Sequence, residues 1–284
     1  MSWFMAVFLG IVQGVTEFLP ISSSGHLALF QSFGLEADSL LHERHIFFDV
    51  LLHMGTLAAV CIAYRQDIRD MCKSVFALVV PSRRSSVEDD PSAPTKVRLA
   101  FLLVLATLPL VLVIPFRHAI EALGNRMWFV GLMLLITGGF LFYSDKLAQG
   151  RRTERNMPVL AALFVGFSQA IGVVPGISRS GITITAGMMS GLDRGFAVRF
   201  SFLMSIPAIL GANIVTLFGS LDTVDWSLMP LYIVGVIVAG VVGYFAIHLV
   251  KLLVKKGSFG KFAYYCWGIG IIAIITSIVQ GIMG

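Results

Sequence analysis

The chain has 284 residues, of which 57% are hydrophobic and 13% charged. Soluble domains carry about 25% charged residues, so a water-soluble globular protein is excluded and a polytopic membrane protein is expected. The formal net charge of +5 does not point to nucleic acid: the cations gather in short loops between apolar segments, which fits membrane orientation, and the aromatic residues lie inside those segments.

The first apolar run covers residues 2–19. No Lys or Arg precedes it and no small-residue cleavage site precedes Glu17, so it reads as retained structure and not as a signal peptide. It stops at Pro20, passes through a polar tip, and resumes as a short apolar piece over 27–35. Crossing a hydrocarbon core takes about 20 apolar residues, and runs near that length follow at roughly 46–64, 99–116 and 127–144. Between the first two, residues 81–95 (PSRRSSVEDDPSAPT) read as a flexible cytoplasmic loop. Then the pattern starts again: an apolar run over 158–174 that stops at Pro175, a polar tip, a short piece over 182–192, and long runs at roughly 200–219, 229–250 and 262–283. Cys61, Cys72 and Cys266 have neither metal-ligand nor disulfide spacing and are expected as small apolar side chains.

The restart is a sequence repeat. Residues 10–26 (GIVQGVTEFLPISSSGH) and 166–182 (GFSQAIGVVPGISRSGI) share Gly10/Gly166, Gln13/Gln169, Ile21/Ile177, Ser22/Ser178, Ser24/Ser180 and Gly25/Gly181, at an offset of 156. Each half is then one broken helical hairpin followed by three crossings, and an odd number of crossings inverts the second half. Basic connections at Arg65–Arg98, Lys146–Arg155, Arg194–Arg199 and Lys251–Lys261 are expected in the cytoplasm, with both termini outside. The expected fold is an all-α polytopic membrane protein. It has six full transmembrane helices, two re-entrant helical hairpins and an inverted-topology repeat, roughly 1–126 and 127–284, within a single domain.

The chemistry gathers where the hairpins break. Gln13 and Glu17 are spaced i, i+4 on one helix face, and an intramembrane carboxylate is a functional-site signal by default. The bland reading is a structural ion pair. One tip supplies Ser22, Ser23, Ser24, Gly25 and His26; the other supplies Gly176, Ser178, Arg179, Ser180 and Gly181, with Thr183 one turn beyond. Helix N-termini at both tips, converging with one Arg, would form a cradle for an anion such as phosphate. A lone Ser-rich tip could equally be a helix cap; two copies with a Glu, a His and an Arg in the membrane are harder to dismiss. Asp49 and His53 form another i, i+4 pair, read first as structural and second as pocket lining.

QGVTEFLPISSSGH, FDVLLHMGTLAAV, PGISRSGIT and FSFLMSIP together resemble the undecaprenyl-diphosphatase family, linked to bacitracin resistance, from about Gly10 to the final span. The resemblance implies an enzyme of the bacterial inner membrane that removes the terminal phosphate from undecaprenyl diphosphate on its outer, periplasmic side, with a divalent cation (Mg or Ca), recycling the lipid carrier for cell-wall synthesis. Carried onto this chain, it makes Arg179 and the tip serines and amides the diphosphate holders. Glu17 becomes metal ligand or general base, while Gln13, a neutral amide that cannot be a base, either orients Glu17 or ligates the metal. His26 becomes the acid–base partner, and Ser23 the nucleophile unless water takes that part. The first position of the acidic element can be Glu in such proteins; here Gln13 stands there, so a scheme needing two carboxylates at that element is in doubt. The expected partners are the polyprenyl diphosphate and the bilayer, with self-association into a homo-oligomer left open. One rival is an inverted-repeat transporter or flippase of a lipid phosphate or small anion. The type 2 phosphatidic-acid phosphatases rank below it, because their further downstream His and upstream Lys-and-Arg signature are absent in order here.

Overall fold

The computed structural model describes all residues except 33–38, 81–89, 221–224 and 284. It is all helical, with no strand among the described residues. In chain order the α-helices are α1 (Trp3–Phe18), α2 (Ser23–Ser32), α3 (Ser39–Ala63), α4 (Arg65–Val79), α5 (Ala93–Thr107), α6 (Arg117–Gly124), α7 (Met127–Ser144), α8 (Val159–Ile171), α9 (Arg179–Met189), α10 (Arg194–Ser220), α11 (Met229–Lys255) and α12 (Phe262–Met283). A 3-10 stretch, Leu108–Phe116, joins α5 to α6, so that Ala93–Ile120 is one apolar span.

Among the described residues five helices are long and apolar enough to cross a membrane: Ala93–Ile120, Met127–Ser144, Arg194–Ile214, Trp226–Lys255 and Phe259–Ile282. The run expected over 46–64 is the helix Phe47–Ala63, bent by 78° from Arg65–Leu78; the pair makes a sixth span only if the two pieces cross as one. That second piece, α4, corrects the reading of residues 65–79 as plain basic loop. Its inner face buries Met71, Ser74 and Ala77 while Arg65, Arg69 and Lys73 face outward. Most of the loop expected over 81–95 lies outside the described residues.

Helix directions follow from close contacts. Helices in lipid gain little from hydrophobic burial against one another, so small residues let backbones approach. A Cβ on Gly10 of α1 would lie 2.7 Å from the Gly235 carbonyl oxygen, and one on Gly14 2.8 Å from that of Ala239. Thus α1 runs parallel to α11. In the other half a Cβ on Gly166 of α8 would lie 2.3 Å from the Ala106 carbonyl oxygen, and Arg98 on α5 donates to the carbonyls of Glu154 and Met157 just before α8. So α8 runs parallel to α5. The repeat-related glycines Gly10 and Gly166 therefore each seat a short helix against a long one belonging to the opposite half. α7 and α12 pair antiparallel, Gly131 meeting Gly270 and Gly138 meeting Ala263.

The largest buried cluster joins Phe18, Tyr64, Phe196, Phe200, Phe202, Val250, Val254 and Phe259. At its edge Arg199 bridges Asp67 of α4 (2.5 Å) and Glu154 (3.3 Å). Phe101, Val104, Leu108, Val111 and Leu112 lie on the outside, an apolar surface that only lipid solvates well.

Candidate active site

The two tips are built alike. α1 ends at Phe18, Leu19 turns to extended backbone, and α2 restarts at Ser23. Ser22 caps that restart, its hydroxyl accepting from Gly25 N at 3.1 Å. In the second tip Ser178 caps α9, accepting from Gly181 N at 3.1 Å. The paired hydroxyls repeat too: Ser22 meets Ser24 at 3.4 Å and Ser178 meets Ser180 at 3.2 Å. The capping reading therefore holds for Ser22 and Ser178, and it aims the unpaired first amides of both helices at the tips. Ser22 sits at φ +69, a conformation costing a non-glycine residue about 1–2 kcal/mol.

α7 anchors the second tip. Thr137 donates to the Gly176 carbonyl (3.0 Å) and accepts from Ser178 N (3.1 Å). Gly176 has φ +94, and a Cβ there would lie 2.6 Å from the Val130 carbonyl oxygen, so only glycine fits. The tips touch: a Cβ on Gly25 would meet the Gly176 Cα at 3.1 Å, and the Ser180 hydroxyl reaches the Leu19 carbonyl at 3.4 Å.

Glu17, buried with 7% of its surface exposed, is the hub. One carboxylate oxygen, Oε1, accepts from the Arg179 guanidinium of the other tip. The other, Oε2, accepts from Ser23 Oγ at 3.0 Å and Gln13 Nε2 at 3.1 Å, with His53 Nε2 at 3.7 Å. The structure thus brings together Gln13, Glu17, Ser23 and Arg179. It adds His53, whose sequence reading as structural first and pocket second undervalued it. Ser24 is exposed beside this group. Asp49 lies one turn before His53, and its carbonyl accepts from His53 Nδ1 at 2.8 Å.

Two expected residues stand elsewhere. His26 spends both ring nitrogens: Nδ1 on the Ser22 carbonyl (2.8 Å) and Nε2 on the Tyr265 hydroxyl (2.8 Å), with the rings stacked at 5.6 Å and 5°. A carbonyl only accepts, so Nδ1 carries the proton and the neutral ring receives the Tyr265 O–H at Nε2. Thr183 is buried and bonds Ser201 Oγ at 2.6 Å and the Arg179 carbonyl at 2.8 Å; it fastens α9 to α10 and does not face the tips. Thr137 and Tyr265 went unnoticed in the sequence because nothing local marks them: each acts through a partner in a distant segment.

A divalent cation fits these residues in part. Gln13 Oε1 is a buried acceptor with no hydrogen-bond partner, next to a carboxylate. Among the described residues no three His, Cys, Asp or Glu side chains converge. One carboxylate completed by substrate phosphate and water is how Mg²⁺ is commonly held, and the amide oxygen would add one more oxygen donor.

The bacitracin resistance protein BacA family model matches residues 6–272. Similar proteins, each named undecaprenyl-diphosphatase, include one from Methanosphaera stadtmanae, 40% identical over 96% of this chain and 98% of its own. Another, from Halothermothrix orenii, is 40% identical over 98% and 99%. A third, from Desulforapulum autotrophicum, is 38% identical over 98% and 100%.

Proposed function

This chain belongs to the bacitracin resistance protein BacA family and is an undecaprenyl-diphosphatase of the membrane, and from that premise we propose how its two tips share the reaction. Ser23 Oγ attacks the terminal phosphorus and passes its proton to Glu17 Oε2. The bond from that phosphorus to the bridging oxygen breaks, undecaprenyl phosphate leaves, and water then releases phosphate from Ser23. The observation that carries this reading is the 3.0 Å hydrogen bond from Ser23 to Glu17, a nucleophile held on its base. Arg179 has five N–H donors, so its bond to Glu17 leaves others to hold the transferred phosphoryl group with the first amides of α2 and α9. His26, held by Ser22 and Tyr265, shapes the first tip in this scheme.

A divalent cation held by Glu17 and the Gln13 carbonyl oxygen would neutralise charge on the diphosphate when bound. The helix directions support an inverted repeat: α1 follows α11 and α8 follows α5, so two re-entrant hairpins enter from opposite faces between six spans. The site opens outward in this reading. Support comes from the opposite, basic side, where the large buried cluster and the Arg199 bridges to Asp67 and Glu154 pack beneath the tips. The cation-rich connections lie on that side, which supports reading it as cytoplasmic, with both termini outside an inner membrane.

Purified protein should release phosphate from a polyprenyl diphosphate in detergent, and a chelator should stop it. A carrier would release none, and chelator-resistant turnover would remove the cation from the scheme.

A further inference from the structure

We infer that Tyr265 is a positioning residue for the reaction: through the His26 ring it holds the Ser22 turn that sets Ser23 on Glu17. This rests on the reading of Ser23 as the nucleophile.

Ser22 has φ +69, and a non-glycine residue stays in that region only where its surroundings over-determine it. Its hydroxyl caps α2 at Gly25 N, and its carbonyl is the second point of control. That carbonyl accepts from His26 Nδ1 at 2.8 Å and from His26 N at 3.2 Å. The Ser22 carbonyl and the Ser23 N–H share one peptide plane, so whatever fixes the carbonyl fixes where the Ser23 side chain starts. Three ångströms beyond, Ser23 Oγ donates to Glu17 Oε2 (3.0 Å).

The imidazole holds that carbonyl only with its hydrogen on Nδ1, and Tyr265 favours that state. Its O–H, 2.8 Å from Nε2, donates to the lone pair that this tautomer presents there. The two rings stack at 5.6 Å and 5°, so the imidazole cannot swing without losing both contacts. A bond from a His ring to the carbonyl four residues back is not diagnostic by itself, since His248 makes one to Tyr244. His26 differs in having its second nitrogen tied to another helix. The next residue on α12 holds the same tip: buried Cys266 points its Sγ at the Pro20 carbonyl, 3.6 Å away. Thr137 of α7 has the matching place at the second tip, on the Gly176 carbonyl and Ser178 N. The competing account makes His26 the acid–base partner and Tyr265 only its neighbour, but both ring nitrogens are already bonded within the protein.

The test compares Tyr265→Phe, His26→Asn and His26→Ala in the full chain in detergent, by turnover of a polyprenyl diphosphate and by ¹⁵N NMR of histidine-labelled protein. The His26 signal is the one that His26→Asn removes. Tyr265→Phe keeps the stacked ring and loses the O–H. It should leave KM and the melting temperature as in wild type and lower kcat about 5–100-fold, the range for a buried acceptor left unpaired. Its Nε2 resonance should move to that of a free lone pair. In His26→Asn an amide N–H stands where Nδ1–H stood, so kcat should stay at least about tenfold above that of His26→Ala. A wild-type kcat in Tyr265→Phe, a rise in KM alone, the proton found on Nε2 in wild type, or an asparagine no better than alanine would each overturn the inference. Ser23→Ala in the same preparation separates the two levels. A loss there of only about 10²–10³ sinks the nucleophile reading and this inference with it, whereas the other contrary results sink the inference alone.

Discussion

At the scale of single residues, Glu17 accepts three hydrogen bonds, from Arg179, Ser23 and Gln13. Glu17→Gln keeps the shape of the side chain but removes the base and the charge facing Arg179, so the protein should insert normally and hydrolyse little. Phosphate release near the wild-type rate would end Glu17's catalytic role. The serines separate by position. Ser23 bonds the carboxylate, whereas Ser180 bonds a backbone carbonyl and Ser178. Turnover of Ser23→Ala should therefore fall by several orders of magnitude, and that of Ser180→Ala by no more than the 10²–10³ expected of one lost phosphate donor. If Ser23→Ala falls only that far, water is the nucleophile. Glu17, Ser23 and Arg179 were legible in the sequence because a carboxylate, a hydroxyl and a guanidinium stood among apolar neighbours in a repeated frame. His26 adjoins the tip in sequence, yet its ring bonds Tyr265, a contact spanning 239 residues that no local pattern announces. His53 was undervalued for the converse reason, since its spacing from Asp49 invited a local pairing while its Nε2 faces another helix.

At the scale of elements, breaks and caps decide the geometry. Pro20 and Pro175 announced that the short helices stop, and the bland alternative for a Ser-rich tip, a helix cap, holds at Ser22 and Ser178. Gly176 is where the second tip is least forgiving. An alanine there meets a backbone conformation costing about 1–3 kcal/mol as well as a collision with the Val130 carbonyl. Gly176→Ala should lower both the melting temperature in detergent and phosphate release. Gly139→Ala, on the same α7 that Gly176 abuts but with open space around it, should change neither; equal behaviour of the two would refute the close tip–α7 contact. Helix α4 was the element the sequence hid. Its cations outweighed the apolar face that buries Met71 and Ala77, and its anchor, Asp67 on Arg199, joins residues 132 apart.

At the scale of the whole molecule, a 156-residue offset in the sequence reappears as exchanged packing, each short helix running alongside a long helix of the other half. The number of crossings was less legible, because the bend between α3 and α4 makes one span conditional. Divergence between the two copies gives the site its asymmetry: one tip brings carboxylate and hydroxyl, the other the guanidinium, and neither holds both. The central claim is that these tips enter from opposite faces to share one site. Single cysteines at Asn156, between α7 and α8, and at Ser227, just before α11, test it in a background lacking Cys61, Cys72 and Cys266. In intact cells an impermeant thiol reagent should label Ser227→Cys and spare Asn156→Cys until the membrane is opened. Labelling of both positions from the same side would contradict the inverted repeat and the shared site built on it.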